Sequence, residues 1–163
     1  MKFLIYPFLL LFIAPCNSSK KLAEKPKNNV PKVTIVYQTT PCFGRCPLYT
    51  LTINGETNTS TFVGTQNTEK IGTYTKSISN EELNGLVKAF EAAQFFSLNN
   101  EYLGTITDFP IKYLTYTYNG KTKTIKERSG APKELTDLEK QIATYATTEE
   151  GWKKTEDSSN SKD

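Results

Sequence analysis

The sequence predicts an α+β fold: a two-layer sandwich whose antiparallel sheet of about six strands, in the order ββββ-α-ββ-α, carries two helices on one face. Three observations predict it. Runs of β-branched and aromatic residues fill residues 33–78 and 111–127, and each block holds an Asn-Gly pair between two such runs. After each block the apolar period changes from two to about 3.6. Each of these helical stretches opens on a start signal, Ser79-Asn80-Glu81-Glu82 in the first and Pro132 in the second.

Residues 33–37 (Val-Thr-Ile-Val-Tyr) read as the first strand. Residues 48–53 form the second, with Tyr49, Leu51 and Ile53 on one face and Thr50 and Thr52 on the other. Asn54-Gly55 is a hairpin signal because both residue types tolerate positive φ. Residues 59–64 make the returning strand, with Phe62 pointing inward, and residues 72–78 a fourth, alternating Tyr74, Lys76 and Ile78 against Thr73, Thr75 and Ser77. Ser79 then caps a helix, with Glu82 reaching back to it, and Leu83, Leu86, Val87, Phe90 and Ala93 form its apolar stripe. Phe95-Phe96-Ser97-Leu98 ends that helix and plugs it into the sheet, and residues 99–108 form a loop. Residues 111–118, Asn119-Gly120 and residues 121–127 make a second hairpin. Pro132, at the first helical position where a missing N–H is harmless, opens a helix with Leu135, Leu138, Ile142 and Tyr145 as its stripe. The far face of the sheet is left to water, lined by Thr and Lys.

The ends read differently. Residues 1–16 combine a basic Lys2 with an apolar run at 3–12, too short for the roughly 20 residues that span a bilayer and shaped like an export signal. Ile13-Ala14-Pro15-Cys16 resembles a bacterial lipobox, in which the cysteine carries lipid, although Pro15 replaces the usual small residue. Residues 17–32 hold five lysines, one glutamate and two prolines with no apolar period, and read as a flexible tether. Asn17, not an acidic residue, follows Cys16, and no acidic run follows it, so the expected location is the cell envelope, lipid-anchored at the periplasmic side of the outer membrane. Residues 33–146 form one α+β domain. Residues 147–163 are polar and expected to be a disordered tail, with Trp152 its one anchor candidate.

The formal charge of +3, or +2 once Lys2 departs with the signal, is too even for a nucleic-acid binder. The chain has no histidine, which removes the commonest general base and the commonest metal ligand. With Cys16 lipidated, Cys42 and Cys46 are an even remainder in an oxidising compartment and fit one disulfide closing the turn Phe43-Gly44-Arg45. A thiol redox centre competes with that reading, but the spacing is one residue longer than Cys-x-x-Cys and a strand follows instead of a helix. A zinc site needs four ligands, and only two thiols are on offer. No metal and no cofactor are expected.

The segment Cys42-Phe43-Gly44-Arg45-Cys46-Pro47-Leu48-Tyr49-Thr50-Leu51-Thr52-Ile53 resembles the hallmark of a bacterial family, the domain of unknown function 6438. Phe95-Phe96, Thr107-Asp108-Phe109-Pro110 and Gly130-Ala131-Pro132 agree with it in order, over residues 33–146. The resemblance implies a lipoprotein-associated domain and no established activity.

Candidate site residues are few. Phe43, Arg45 and Tyr49 form the candidate partner-binding loop around the cysteines, and Arg45 at its tip offers a cation. Asp108 beside Phe109-Pro110 is better suited to bonding nearby backbone than to catalysis. Tyr113, Tyr116 and Tyr118 could stack on sugars, but their alternation matches ordinary strand faces. Lys121, Lys123 and Lys126 read as protection of an exposed edge. No catalytic residue is identified, and the chain is expected not to be an enzyme. Its partners are expected to be the membrane, through lipid on Cys16, and an envelope protein or glycan. The alternatives are a periplasmic thiol-disulfide protein using Cys42 and Cys46, and an inhibitor whose stapled loop enters the cleft of a periplasmic enzyme.

Overall fold

The computed structural model describes residues 32–155 except residue 149. The expected signal segment with Cys16, the tether up to residue 31, and residues 156–163 of the expected tail lie outside the described residues. The elements are β1 (Val33–Thr39), β2 (Leu48–Asn54), β3 (Thr59–Gln66), β4 (Gly72–Ser77), α1 (Asn80–Ala92), a short 3-10 helix (Phe95–Ser97), β5 (Glu101–Tyr102), β6 (Lys112–Tyr118), β7 (Lys121–Glu127), α2 (Lys133–Thr147) and β8 (Lys153–Lys154). They build one sheet in the order β5-β7-β6-β1-β2-β3-β4-β8.

The α+β class is as expected, but the sheet has eight strands instead of about six and is mixed, because β5 runs parallel to β7. Both additional strands are two residues long, too short for any period to show in sequence. The backbone decides β5: Lys126 N donates to Asn100 O at 2.9 Å and Arg128 N to Tyr102 O at 2.8 Å. Side-chain packing decides β8. Trp152 sits against Phe62 and Tyr145, with ring centroids 5.8 and 6.2 Å away, and Lys76 Nζ lies 3.7 Å from the Tyr145 ring centroid. That anchoring brings Thr155 N to Thr73 O at 2.9 Å, so residues 150–155 of the expected tail join the sheet edge.

The two helices share one face. Val33, Ile35 and Tyr37 of β1, Leu51 and Ile53 of β2, and Leu114 and Ile125 of β6 and β7 are buried against Leu83, Leu86 and Phe90 of α1 and Leu135, Leu138 and Ile142 of α2. The antiparallel register aligns these inward positions across strands: Ile35 stands opposite Ile53 on one side and Tyr116 on the other. The opposite face carries Thr50, Thr52, Thr61, Thr75, Thr115 and Thr117 at the intervening positions. Threonine hydroxyls there pair across strands, Thr115 with Thr124 at 2.8 Å and Thr117 with Thr122 at 2.9 Å.

Local signals were met to different degrees. At the start of α1, Glu82 N donates to Ser79 Oγ at 3.1 Å and Ser79 N to Glu82 Oε2 at 2.8 Å, the expected capping box. The bonds that Glu82 Oε2 accepts from Ser79 N and, at 2.8 Å, from Ser79 Oγ hold the Glu82 carboxyl below the usual carboxylate range. Asn119-Gly120 takes positive φ at both residues, 49° and 85°, and joins β6 to β7 in the two-residue turn. Asn54-Gly55 does not. There Asn54 Oδ1 accepts from Glu56 N at 2.9 Å and Thr57 N at 3.2 Å, which opens a longer loop, and Asn58 is the residue at positive φ, 50°. Pro132 lies one place earlier than expected, as the cap of α2 with extended ψ of 158°.

Phe90 stacks on Tyr116 at 3.9 Å and meets Phe95 edge-on at 5.0 Å, joining α1, the 3-10 helix and the sheet. Replacing Phe90 by Ala is expected to cost about 3–5 kcal/mol, and Thr61→Ala on the open face under about 1 kcal/mol, in urea unfolding followed by circular dichroism.

Candidate binding surface at the disulfide-stapled pole

β1 ends at Thr39, and the chain turns back into β2 through the cysteine loop. Cys42 and Cys46 are joined by a disulfide with a Cα–Cα separation of 5.8 Å, inside the ordinary range. A ring this small contributes only about 2 kcal/mol through chain entropy, so its main effect is to hold one loop shape. The base of the loop is clamped by Thr39, whose Oγ1 donates to Pro47 O at 2.7 Å and accepts from Tyr49 N at 3.1 Å. Asn67 Nδ2 adds a bond to Cys46 O at 3.1 Å from the turn after β3.

A second loop lies alongside. Phe43 N donates to Asp108 O at 3.3 Å, Thr40 N to Ile111 O at 3.0 Å, and Ile111 N to Thr40 Oγ1 at 2.9 Å. The cysteine loop is thereby laced to the segment that leads into β6. Gly104 lets that segment pack: its φ is +52°, and a Cβ there would stand 2.1 Å from Ser129 Oγ. The two loops together expose Phe43 (94 %), Phe109 (54 %) and Ile106 (46 %). Arg45 is exposed beside them, and Arg128 Nη1 donates to Ile106 O at 3.5 Å. The result is an apolar surface with cationic neighbours on two mutually braced loops.

The three residues of the candidate partner-binding loop therefore separate. Phe43 and Arg45 face solvent, whereas Tyr49 is 5 % exposed and belongs to the core. A bulge between Leu48 and Tyr49 sets the register of β2 on β3, and the Tyr49 ring stacks on Phe62 at 5.0 Å. Burial pushes its hydroxyl up to about 12. Asp108 is exposed, and its carboxylate accepts from Thr107 Oγ1 at 3.4 Å. The tyrosines of β6 divide as well: Tyr113 stands with Gln38 and Lys126 on the open face, while Tyr116 is in the core. Nor are the β7 lysines a free basic edge. Lys121 Nζ sits 4.4 Å from the Phe96 ring centroid, Lys123 Nζ donates to Phe96 O and Leu98 O, and Lys126 pairs with Glu101 at 3.5 Å.

Beneath this pole lies a cluster that the sequence reading passed over. Lys112, the first residue of β6, places its ammonium between two buried carboxylates, Glu127 at 2.5 Å and Glu139 of α2. Burial acts to lower the Lys112 pKa, but the two carboxylates outweigh it and leave the lysine above its ordinary value. Burial likewise pushes Glu139 up to about 7, against the pull of Lys112. Tyr37 adjoins the cluster, its hydroxyl pushed up by burial and then by Tyr49, Glu139 and Glu127. The sequence does carry a signal for this. Lys112 and Glu127 each fall two residues from a buried strand position, Leu114 and Ile125, and Glu139 is the neighbour of Leu138. Charges at inward register need partners.

The pH dependence has a definite sign. Because the folded-state pKa of Glu139 is raised from 4.5 to about 7, the stability tied to its proton is full below pH 4.5 and is lost as pH rises to about 7. Glu139→Gln is expected to flatten that decline. Lys112→Met, which strands both carboxylates, is expected to cost about 3–5 kcal/mol at pH 8 and markedly less at pH 5, where Glu139 takes up a proton. Urea unfolding at the two pH values measures both effects.

No curated protein and no solved structure matches the chain. A family model, that of a domain of unknown function (DUF6438), matches residues 33–146, from the first residue of β1 into the last turn of α2. The cysteine loop, the bracing loop and all three charges of the buried cluster fall within that span. The chain therefore belongs to the family of domain of unknown function 6438.

Proposed function

We propose that this chain is a non-catalytic binding module of the cell envelope that presents the stapled pole to a protein partner. The observation that carries the reading is Phe43, 94 % exposed at the tip of a loop closed by a disulfide and laced to its neighbour. A lone exposed apolar residue is ordinary, but three on adjoining loops beside arginines form the kind of patch that marks an interaction surface. Holding those loops in one shape before binding reduces the entropy that association must overcome. The apolar tip and the Arg45 guanidinium suit a partner with an apolar groove and an acidic rim, of which an enzyme cleft is one form.

The leader supports the address. Cys16 carries the lipid and residues 17–32 form the tether, with the periplasmic side of the outer membrane as the location. The tether joins the domain at Val33, while the stapled loop leaves β1 at Thr39, about 20 Å away at the other end of the strand. Such a polarity puts Phe43 and Arg45 at the end of the domain opposite the point where the tether joins it, where the tether does not cover them.

A thiol-disulfide role is the second reading, and one observation favours it. Gly44 N donates to Cys42 Sγ at 3.3 Å, a bond that would also stabilise a thiolate. The reduction potential separates the two: a value below about −300 mV fits a staple, and a value near the glutathione range fits an exchanging pair.

The main test is retention from a detergent-solubilised envelope extract. Wild-type chain is expected to hold a partner that chain carrying Phe43→Ser and Arg45→Ala loses, with Thr61→Ala as the folded control. Identical retention by all three sinks the reading, and retention of purified peptidoglycan instead would point to a glycan. Intact mass with and without reductant and alkylation reports lipid on Cys16 and the state of the other cysteines.

A further inference from the structure

A second concavity lies away from the stapled pole, where the C-terminal end of α1, the 3-10 helix and β6 meet. Its volume is about 320 Å³, at the lower end of small-molecule sites. Phe90, Glu91, Gln94, Phe96, Tyr116 and Tyr118 line it. We propose that this cleft binds a small organic cation made of a flat apolar ring and a protonated amine, an arylalkylammonium, on the aromatic walls and the Glu91 carboxylate.

The walls are rigid. Tyr116 is clasped between Phe90, stacked at 3.9 Å, and Tyr118, stacked at 6.0 Å, while Phe96 leans on it at 5.4 Å. Phe96 and Tyr118 stay only half-buried, so ring surface remains for a ligand. One polar group is left over. Tyr116 is 2 % exposed, yet its hydroxyl has no hydrogen-bond partner among the described residues. A buried hydroxyl in that state costs about 1–3 kcal/mol, which a bound polar group would relieve.

Charge selects the ligand. Glu91 is the acidic residue of the lining, and the lysines opposite Tyr116 and Tyr118 in register are already engaged, Lys123 Nζ on the Phe96 and Leu98 carbonyls and Lys121 Nζ over the Phe96 ring. Glu91 is close enough to add to the upward shift of the Tyr116 hydroxyl, after burial and Tyr118. Aromatic faces next to a carboxylate favour an ammonium over an anion of the same size. The molecule already uses this chemistry at the rim, where Lys121 Nζ stands 4.4 Å from the Phe96 ring centroid. An aryl ring in the ligand would extend the Phe90–Tyr116–Tyr118 stack, and its amine would reach Glu91. This site is independent of the stapled pole, and either proposal stands if the other falls.

The experiment is a ¹⁵N NMR titration of the full chain in one detergent with tryptamine, indole and indole-3-acetate. Tryptamine is expected to shift the amides of Gln94, Ser97 and Tyr118 saturably, about tenfold more tightly than indole-3-acetate, with indole between them. Glu91→Gln is expected to weaken tryptamine about fivefold and to bring the three probes together. Tyr116→Phe removes the unpartnered hydroxyl, so it should leave stability equal or higher while weakening tryptamine about threefold. Absence of saturable shifts, equal affinity for tryptamine and indole-3-acetate, or tryptamine binding unchanged by Glu91→Gln overturns the proposal. Detergent partition cancels between wild type and variants for one probe; between probes, affinities are taken against free concentrations measured in the same detergent without protein.

Discussion

The ammonium of Lys112 holds together what the rest of the molecule needs held. It begins β6, bonds Glu127 at the end of β7, and reaches across the layer boundary to Glu139 of α2. Two carboxylates buried side by side repel and lose their hydration, and the single cation between them makes the arrangement tolerable. The consequence is positional. With Lys112 pinned, Ile111 before it meets Thr40 in both directions, and the Thr40 segment leads straight into Cys42. An ion cluster in the core thereby determines where an exposed loop stands.

That loop is stiffened three times over, by the disulfide, by the Thr39 clamp and by the bond from Phe43 to the Asp108 carbonyl. The energy in each is small; what accumulates is the loss of alternatives. An exposed phenylalanine on a free loop would collapse onto the nearest apolar surface. Here the backbone beneath it is fixed on both sides and its ring stays in water. Fold and proposed function meet at this point, since a shape held before binding is the condition for recognition without a large ordering cost.

The two Asn-Gly pairs show how far local chemistry reaches. Asn119-Gly120 joins strands whose register leaves two residues for the turn, and it adopts the expected geometry. Asn54 is still paired within β2, so its side chain opens a longer loop and the positive φ moves to Asn58. Tyr49 makes the same point for the site. Adjacency in sequence to Cys46 and Pro47 grouped it with the surface loop, but strand alternation carried it inward onto Phe62. Residues 150–155 of the polar tail join the sheet edge for a related reason: Trp152 has no apolar neighbours in sequence, and its neighbours in space come from β3 and α2.

By itself the sequence determined the fold class, both helix stripes, the six longer strands and the pairing of Cys42 with Cys46. Each of these rests on interactions within a few residues, or on a periodicity that one strand or helix carries alone. Tertiary structure alone decided the parallel edge strand β5, the return of β8, the burial of Tyr49, the lysine between two glutamates and the aromatic cleft. Each depends on groups distant in sequence meeting at one place. No local pattern records that Lys112 will find Glu127 and Glu139, because a charge at an inward position states a need for a partner and only the packed layers supply it.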